Sequence, residues 1–187
     1  SSTYTKRRSW EPSPSMRSLT AATLYPGLCL TEGTSLSMGR GTLKPFEQVG
    51  APYIDGGKLA VALNAAGLPG VRFEAVKFTP RAELYPGPAA QLKYLDLECG
   101  GVRVVLTDRE RCAVVDVGVA IALAVSRLYP EQFKADDMAR LVGDDATVRD
   151  IKAGRSLAEI KAAWAGRLAE FAARRQTFLL YGSGKRG

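Results

Sequence analysis

The sequence predicts an α+β fold: a small mixed sheet of about three to four strands packed with several helices, with a helical C-terminal half. Three observations carry this. Residues 71–79 alternate, Val71, Phe73, Ala75 and Phe78 against Arg72, Glu74 and Lys77, and residues 102–107 are rich in β-branched side chains. Residues 117–125 form the longest apolar run, with Asp116 before it and Pro130 after it. Beyond Pro130 the pattern is that of successive short helices. A chain of 187 residues, 46% hydrophobic and 24% charged, suffices for one domain with a sizeable core, with or without a short appendage.

Taken in order, residues 1–17 are polar and broken by Pro12 and Pro14, and read as a linker or arm. The domain spans residues 18–181. Residues 19–25 suit a short helix that Pro26-Gly27 stops, and residues 28–31 read as a short buried strand. Asp55 is placed to cap a helix over 56–66, which Gly67 and Pro69 end. The strands at 71–79 and 102–107 should pair, with a long excursion over 80–98 between them. Asp116 opens the most hydrophobic helix, running to Tyr129. Residues 135–141 form a short helix, and Asp144 caps another that Gly154 stops. Ser156 and Glu159 make a capping box for a last helix to Arg175, with Leu157, Ile160, Trp164, Leu168 and Phe171 on one face. An apolar segment over 177–181 closes the domain, and residues 182–187 read as a disordered tail.

Composition narrows the chemistry. The chain has no histidine, which removes Ser–His and Cys–His nucleophile pairs and imidazole metal sites. Cys29, Cys99 and Cys112 form no CxxC pair, and read as buried apolar thiols rather than a disulfide framework. No cofactor or metal is implied. The net charge of +7 is concentrated at the two ends, in Lys6-Arg7-Arg8 and in the last helix and tail. No aromatic platform is interleaved with those charges, so solvated basic ends explain them and nucleic acid is not the expected partner. The longest apolar run is too short for a membrane span, which takes roughly 20 residues. The opening Ser1-Ser2-Thr3-Tyr4 shows no signal-peptide pattern.

The informative stretch is 32–52, which has lost all periodicity and carries Gly33, Gly39, Gly41 and Gly50. Irregular segments of that length usually have a function in a compact domain. Glu32 is expected at the end of the buried strand, rigid but reachable. Arg40 offers a planar fork for a carboxylate. Thr34, Ser37 and Thr42 add hydroxyls suited to sugar binding. Two readings stay open: Glu32 and Arg40 pin the loop as an internal ion pair, or they face a ligand. Elsewhere, Asp55, Glu74 and Glu98 read as a helix cap and strand-face charges, and Asp108 as the cap ending its strand.

The segments YPGLCLTEGTSLSMGRGTLKPFEQVGAPYID, LPGVRFEAVKFTP and CGGVRVVLTDR, with the later AGRSLAEIKAAWAGRLAEFAARRQTFLLY, closely resemble the C-terminal region of the exo-β-N-acetylmuramidase (NamZ) family, over roughly residues 10–181. The resemblance implies a secreted or periplasmic bacterial glycosidase that releases terminal N-acetylmuramic acid from peptidoglycan fragments. It also implies a Rossmann-like N-terminal catalytic domain as partner, with this region lining the cleft beside it. Residues 81–98 look longer than the corresponding family segment. On this footing Glu32, Thr34, Arg40 and Thr42 are the candidate substrate-binding residues, with Arg40 meeting the lactyl carboxylate of the muramic acid sugar. The catalytic residues stay unknown, with Glu32 the best candidate. The alternatives are a non-catalytic carbohydrate-binding or auxiliary domain, and a structural partner whose loop touches no ligand.

Overall fold

The computed structural model describes residues 15–135 and 137–179. Most of the arm and all of the tail expected from the sequence lie outside that range. The chain runs α1 (Leu19–Leu28), β1 (Gln48–Ala51), α2 (Gly56–Ala65), β2 (Val71–Phe78), β3 (Cys99–Leu106), α3 (Val114–Leu128), α4 (Met138–Val142), α5 (Asp145–Lys152) and α6 (Leu157–Gln176). The expected α+β class is present. The sheet has three strands in the order β1-β3-β2, and both pairings are antiparallel.

Local chemistry explains most of these boundaries. Asp55, Asp144 and Ser156 each accept a hydrogen bond from a backbone N–H in the first turn of α2, α5 and α6, and the capping box of Ser156 with Glu159 is complete. β2 and β3 pair from Val71–Leu106 to Phe78–Cys99. α2 is fastened to β2 by Asn64, whose amide accepts from the Phe73 N–H and donates to its carbonyl, both at 2.9 Å.

The start of the domain departs from the sequence expectation. Residues 28–31 are not a strand: α1 runs through Pro26 to Leu28 and tightens into a 3₁₀ turn over Cys29–Thr31. The reason is a close helix crossing. A Cβ on Gly27 would lie 1.8 Å from the Val114 carbonyl oxygen, and one on Gly118 would lie 2.1 Å from that of Gly27. The two glycines let α1 press onto α3 with Leu24 and Leu28 fully buried. The burial gained there outweighs the hydrogen bond lost at Pro26. The missing strand is β1, inside the stretch that shows no periodicity, and all four of its residues are buried. Ser37 extends it on the free side, exchanging backbone hydrogen bonds with Gly50 at 2.8 and 3.0 Å.

The core centres on α3, whose Val117, Val119, Ile121, Ala122 and Val125 are 1% exposed or less, and which packs against α1, α2, α5 and α6. Among the described residues no helix is long and apolar enough to cross a membrane. Cys29, Cys99 and Cys112 are free thiols, and burial pushes all three above the ordinary thiol range.

Candidate functional site

Glu32 sits at the end of the 3₁₀ turn, its N–H bonded to Cys29 O at 3.0 Å. The loop that follows is tied down at many points. Gly33 lies so close to Asp137 that a Cβ would fall 2.4 Å from its carbonyl oxygen. Ser35 donates its N–H to Lys134 O and its hydroxyl to Gln132 O. Tyr94 donates its hydroxyl to Ser35 O at 2.7 Å, and burial raises that phenol to about 12, so it remains a donor across the physiological range. Lys93 Nζ donates to the carbonyls of both Glu32 and Thr34. Burial lowers the pKa of Lys93, with the Glu32 carboxylate opposing that shift. These ties line an open cleft of about 450 Å³. Its charged walls are Glu32, Arg40, Lys93, Lys134, Asp137 and Arg140.

Arg40 and Glu32 meet at this cleft. Arg40 Nη2 lies 2.6 Å from Glu32 Oε1, with the side chains 34% and 23% exposed. The contact is not aligned as a hydrogen bond: among the described residues Glu32 Oε1 and Arg40 Nε are both buried atoms without a hydrogen-bond partner. Arg40 is aimed from behind. Its guanidinium carbon stands 5.3 Å from the centroid of the Phe46 ring, and Tyr25 packs edge-on to the same ring at 4.9 Å. Phe46 takes a left-handed backbone, φ 59°, and the turn before it uses Gly39 and Gly41 at φ 69° and 75°. Arg40 also borders a smaller depression beside Tyr25, Phe46 and Tyr85.

The four residues singled out in the sequence divide. Glu32 and Arg40 come together. Thr34 lines the cleft, but its hydroxyl donates to Thr31 O and accepts from the Leu36 N–H. Thr42 is not brought to the cleft: its hydroxyl donates to Gly39 O and accepts from Lys44 N and Gln48 Nε2, which closes the turn. The other carboxylates have local partners. Asp55 caps α2, Glu74 pairs with Arg72, Glu98 pairs with Lys77, and Asp108 accepts from the N–H groups of Glu110 and Arg111. Lys93, Lys134, Asp137 and Arg140 are the charged cleft residues that the sequence did not announce. Lys93 comes from the excursion before β3, where nothing periodic marks it. Among the described residues no group of three or more His, Cys, Asp or Glu side chains could hold a metal ion.

A cleft with four cationic and two acidic side chains, one of them an arginine whose pair with Glu32 is not aligned as a hydrogen bond, has the charge to suit a small anionic or polar group. The chain belongs to the NamZ C-terminal family: the family described as "Exo-beta-N-acetylmuramidase NamZ, C-terminal" matches residues 23–181. It is 35% identical over 173 residues to the peptidoglycan β-N-acetylmuramidase NamZ of Bacillus subtilis (strain 168), covering 91% of this chain and 40% of that protein. Among solved structures it resembles a DUF1343 family protein of Bacteroides fragilis at 30% identity with a TM-score of 0.67, covering 91% of this chain and 43% of that one. A second DUF1343 protein of the same organism shares the fold at 23% identity and a TM-score of 0.63, over 92% and 45% of the two chains. The chain thus spans less than half the length of the relatives it matches.

Proposed function

We propose that this chain acts as the C-terminal part of an exo-β-N-acetylmuramidase, with the Glu32–Arg40 cleft forming one wall of the substrate site. Arg40 receives the lactyl carboxylate that distinguishes N-acetylmuramic acid from N-acetylglucosamine. The observation that carries this is the misaligned pair. The Arg40 side chain is 34% exposed at the cleft, its contact with Glu32 is not aligned as a hydrogen bond, and the guanidinium is held by Phe46. An incoming carboxylate can take a fork-to-fork pair on that guanidinium, which is stronger and more directional than a single charge contact. Lys93, Lys134 and Arg140 add positive potential around it. Glu32 is then the resting partner that the ligand displaces or shares. Glycoside hydrolysis uses two carboxylates flanking the scissile bond, and Glu32 is already engaged by Arg40. On this reading binding and selection are the work of this chain, and bond cleavage that of the remaining part of the longer enzymes. A substrate from peptidoglycan goes with a secreted or periplasmic location.

The test is a titration of this chain with each sugar, followed by amide chemical shifts. N-acetylmuramic acid is expected to move the amides of residues 32–42 and 93. N-acetylglucosamine, which lacks the carboxylate, should leave them in place, and Arg40→Ala should abolish the response with the fold intact. Equal responses to the two sugars, or an unchanged response in the Arg40 variant, would overturn the assignment.

A further inference from the structure

The apolar stripe of α6 runs the whole length of the helix: Leu157, Ile160, Trp164, Leu168, Phe171, and on to Phe178 just past its end. That is the three-, four- and seven-residue spacing of one helix face. Its first half is covered. Ile160 is fully buried, Trp164 is half-buried with Nε1 donating to Thr147 Oγ1 at 2.7 Å, and Lys161 pairs with Asp116 of α3. Among the described residues its second half is left uncovered: Leu168 and Phe171 are 58% and 50% exposed, and Phe178 just beyond it is 76% exposed. Leu168 also borders an apolar groove of about 370 Å³ walled by Leu30, Val115, Val119 and Val142. A contiguous apolar band of this kind on a folded surface marks a contact face.

Two further observations say what covers it. The family match runs through residue 181, so the uncovered half of α6 belongs to the architecture its relatives share and is no local appendage. In the solved relatives this fold makes up only 43% and 45% of the chain, so each carries a larger body beside it. We propose that the second half of α6 and the adjoining groove are the docking surface for the domain that forms the rest of the longer enzymes. That partner would present an apolar ridge with an acidic rim opposite Arg174 and Arg175. A second copy of this chain fits less well. α6 carries Lys161, Arg167, Arg174 and Arg175 against Glu159 and Glu170, and pairing it with itself would set a basic helix on a basic helix.

Amide hydrogen exchange tests this on this chain and on the full-length Bacillus subtilis relative. In this chain residues 165–176 are expected to exchange close to the rate of an open helix end, whereas the aligned helix of the full-length protein should be slower by roughly 100-fold or more. Equal protection in the two proteins would overturn the proposal. So would protection in this chain that grows with its concentration, the mark of a second copy, or that disappears on removing residues 180–187, the mark of its own tail. As a second readout, Phe171→Asp should leave the melting temperature of this chain unchanged and lower that of the full-length relative at the aligned position. A drop in this chain would show the face to be covered internally.

Discussion

Phe46 adopts a left-handed backbone that costs a non-glycine residue on the order of 1–3 kcal/mol, and its surroundings must hold it there. They do so through three contacts: its N–H donates to Met38 O at 2.8 Å, Tyr25 meets its ring edge-on, and the Arg40 guanidinium lies over the ring. Phe46→Leu keeps most of the buried volume but removes the aromatic face, so we expect a loss of about 1–2 kcal/mol in urea unfolding. On the proposed function its larger effect should be on the response to N-acetylmuramic acid, because that reading has Arg40 aimed at the sugar carboxylate. Lys93 works differently, by satisfying two loop carbonyls with one ammonium. Lys93→Met removes both bonds and should cost about 0.5–1.5 kcal/mol, with faster amide exchange confined first to residues 32–42. Unaltered exchange there would show the carbonyls to be satisfied some other way. The contrast also marks what a sequence can reveal about a site. Glu32 and Arg40 lie eight residues apart in one glycine-rich stretch, so their meeting was one of two readings already open. Lys93 reaches Glu32 O across 61 positions, and only the folded chain brings them together.

Elements declared by their own residues were legible, and elements decided by their neighbours were not. α2, α5 and α6 announce themselves with a capping side chain and an apolar stripe, and β2 and β3 with alternation and β-branching. Pro26-Gly27 carries the local signature of a helix stop, yet α1 continues because that glycine is where α3 makes its closest approach. β1 is buried throughout, so it shows no alternation, and its partner lies some fifty residues further on. Two glycine substitutions separate local propensity from packing. Gly27→Ala places a methyl group against backbone of α3, where no side chain can give way, and should destabilise by about 3 kcal/mol or more. Gly166→Ala, inside α6 with open space around it, should instead stabilise by about 0.5–1 kcal/mol through propensity alone. Thermal melts of the two variants read both signs. Equal shifts in the same direction would mean that the α1–α3 crossing is not the constraint described.

At the scale of the whole molecule the sheet and the C-terminal helices are held by different chemistry, and acid should take them apart in order. β2 and β3 are joined by a backbone ladder and by apolar contacts to α2, none of which titrates. The α5–α6 junction is joined through carboxylates. Asp144 accepts from the hydroxyl and N–H of Thr147 and pairs with Arg167, while Thr147 in turn accepts from Trp164. Glu159 accepts from both the hydroxyl and the N–H of Ser156. The Thr147 hydroxyl, seconded by Arg167, holds Asp144 below its ordinary carboxylate value, and the Ser156 bonds do the same for Glu159. A carboxylate depressed in the folded state stabilises fully above its unfolded value, near pH 4, and that contribution is lost as pH falls through the lower folded value. Acidification below about pH 4 should therefore loosen α5 and α6 before the sheet, while the chain, already at +7, gains further positive charge at its basic helical end. Amide protection followed segment by segment from neutral pH downwards is the measurement. Residues 144–176 are expected to lose protection ahead of residues 71–78 and 99–106. Asp144→Asn should lower stability at neutral pH and flatten its dependence on pH below 4, because the variant has no proton to take up at that position. Simultaneous loss across both regions, or an unchanged slope in the variant, would show that packing against α3 governs the junction and that the caps merely decorate it.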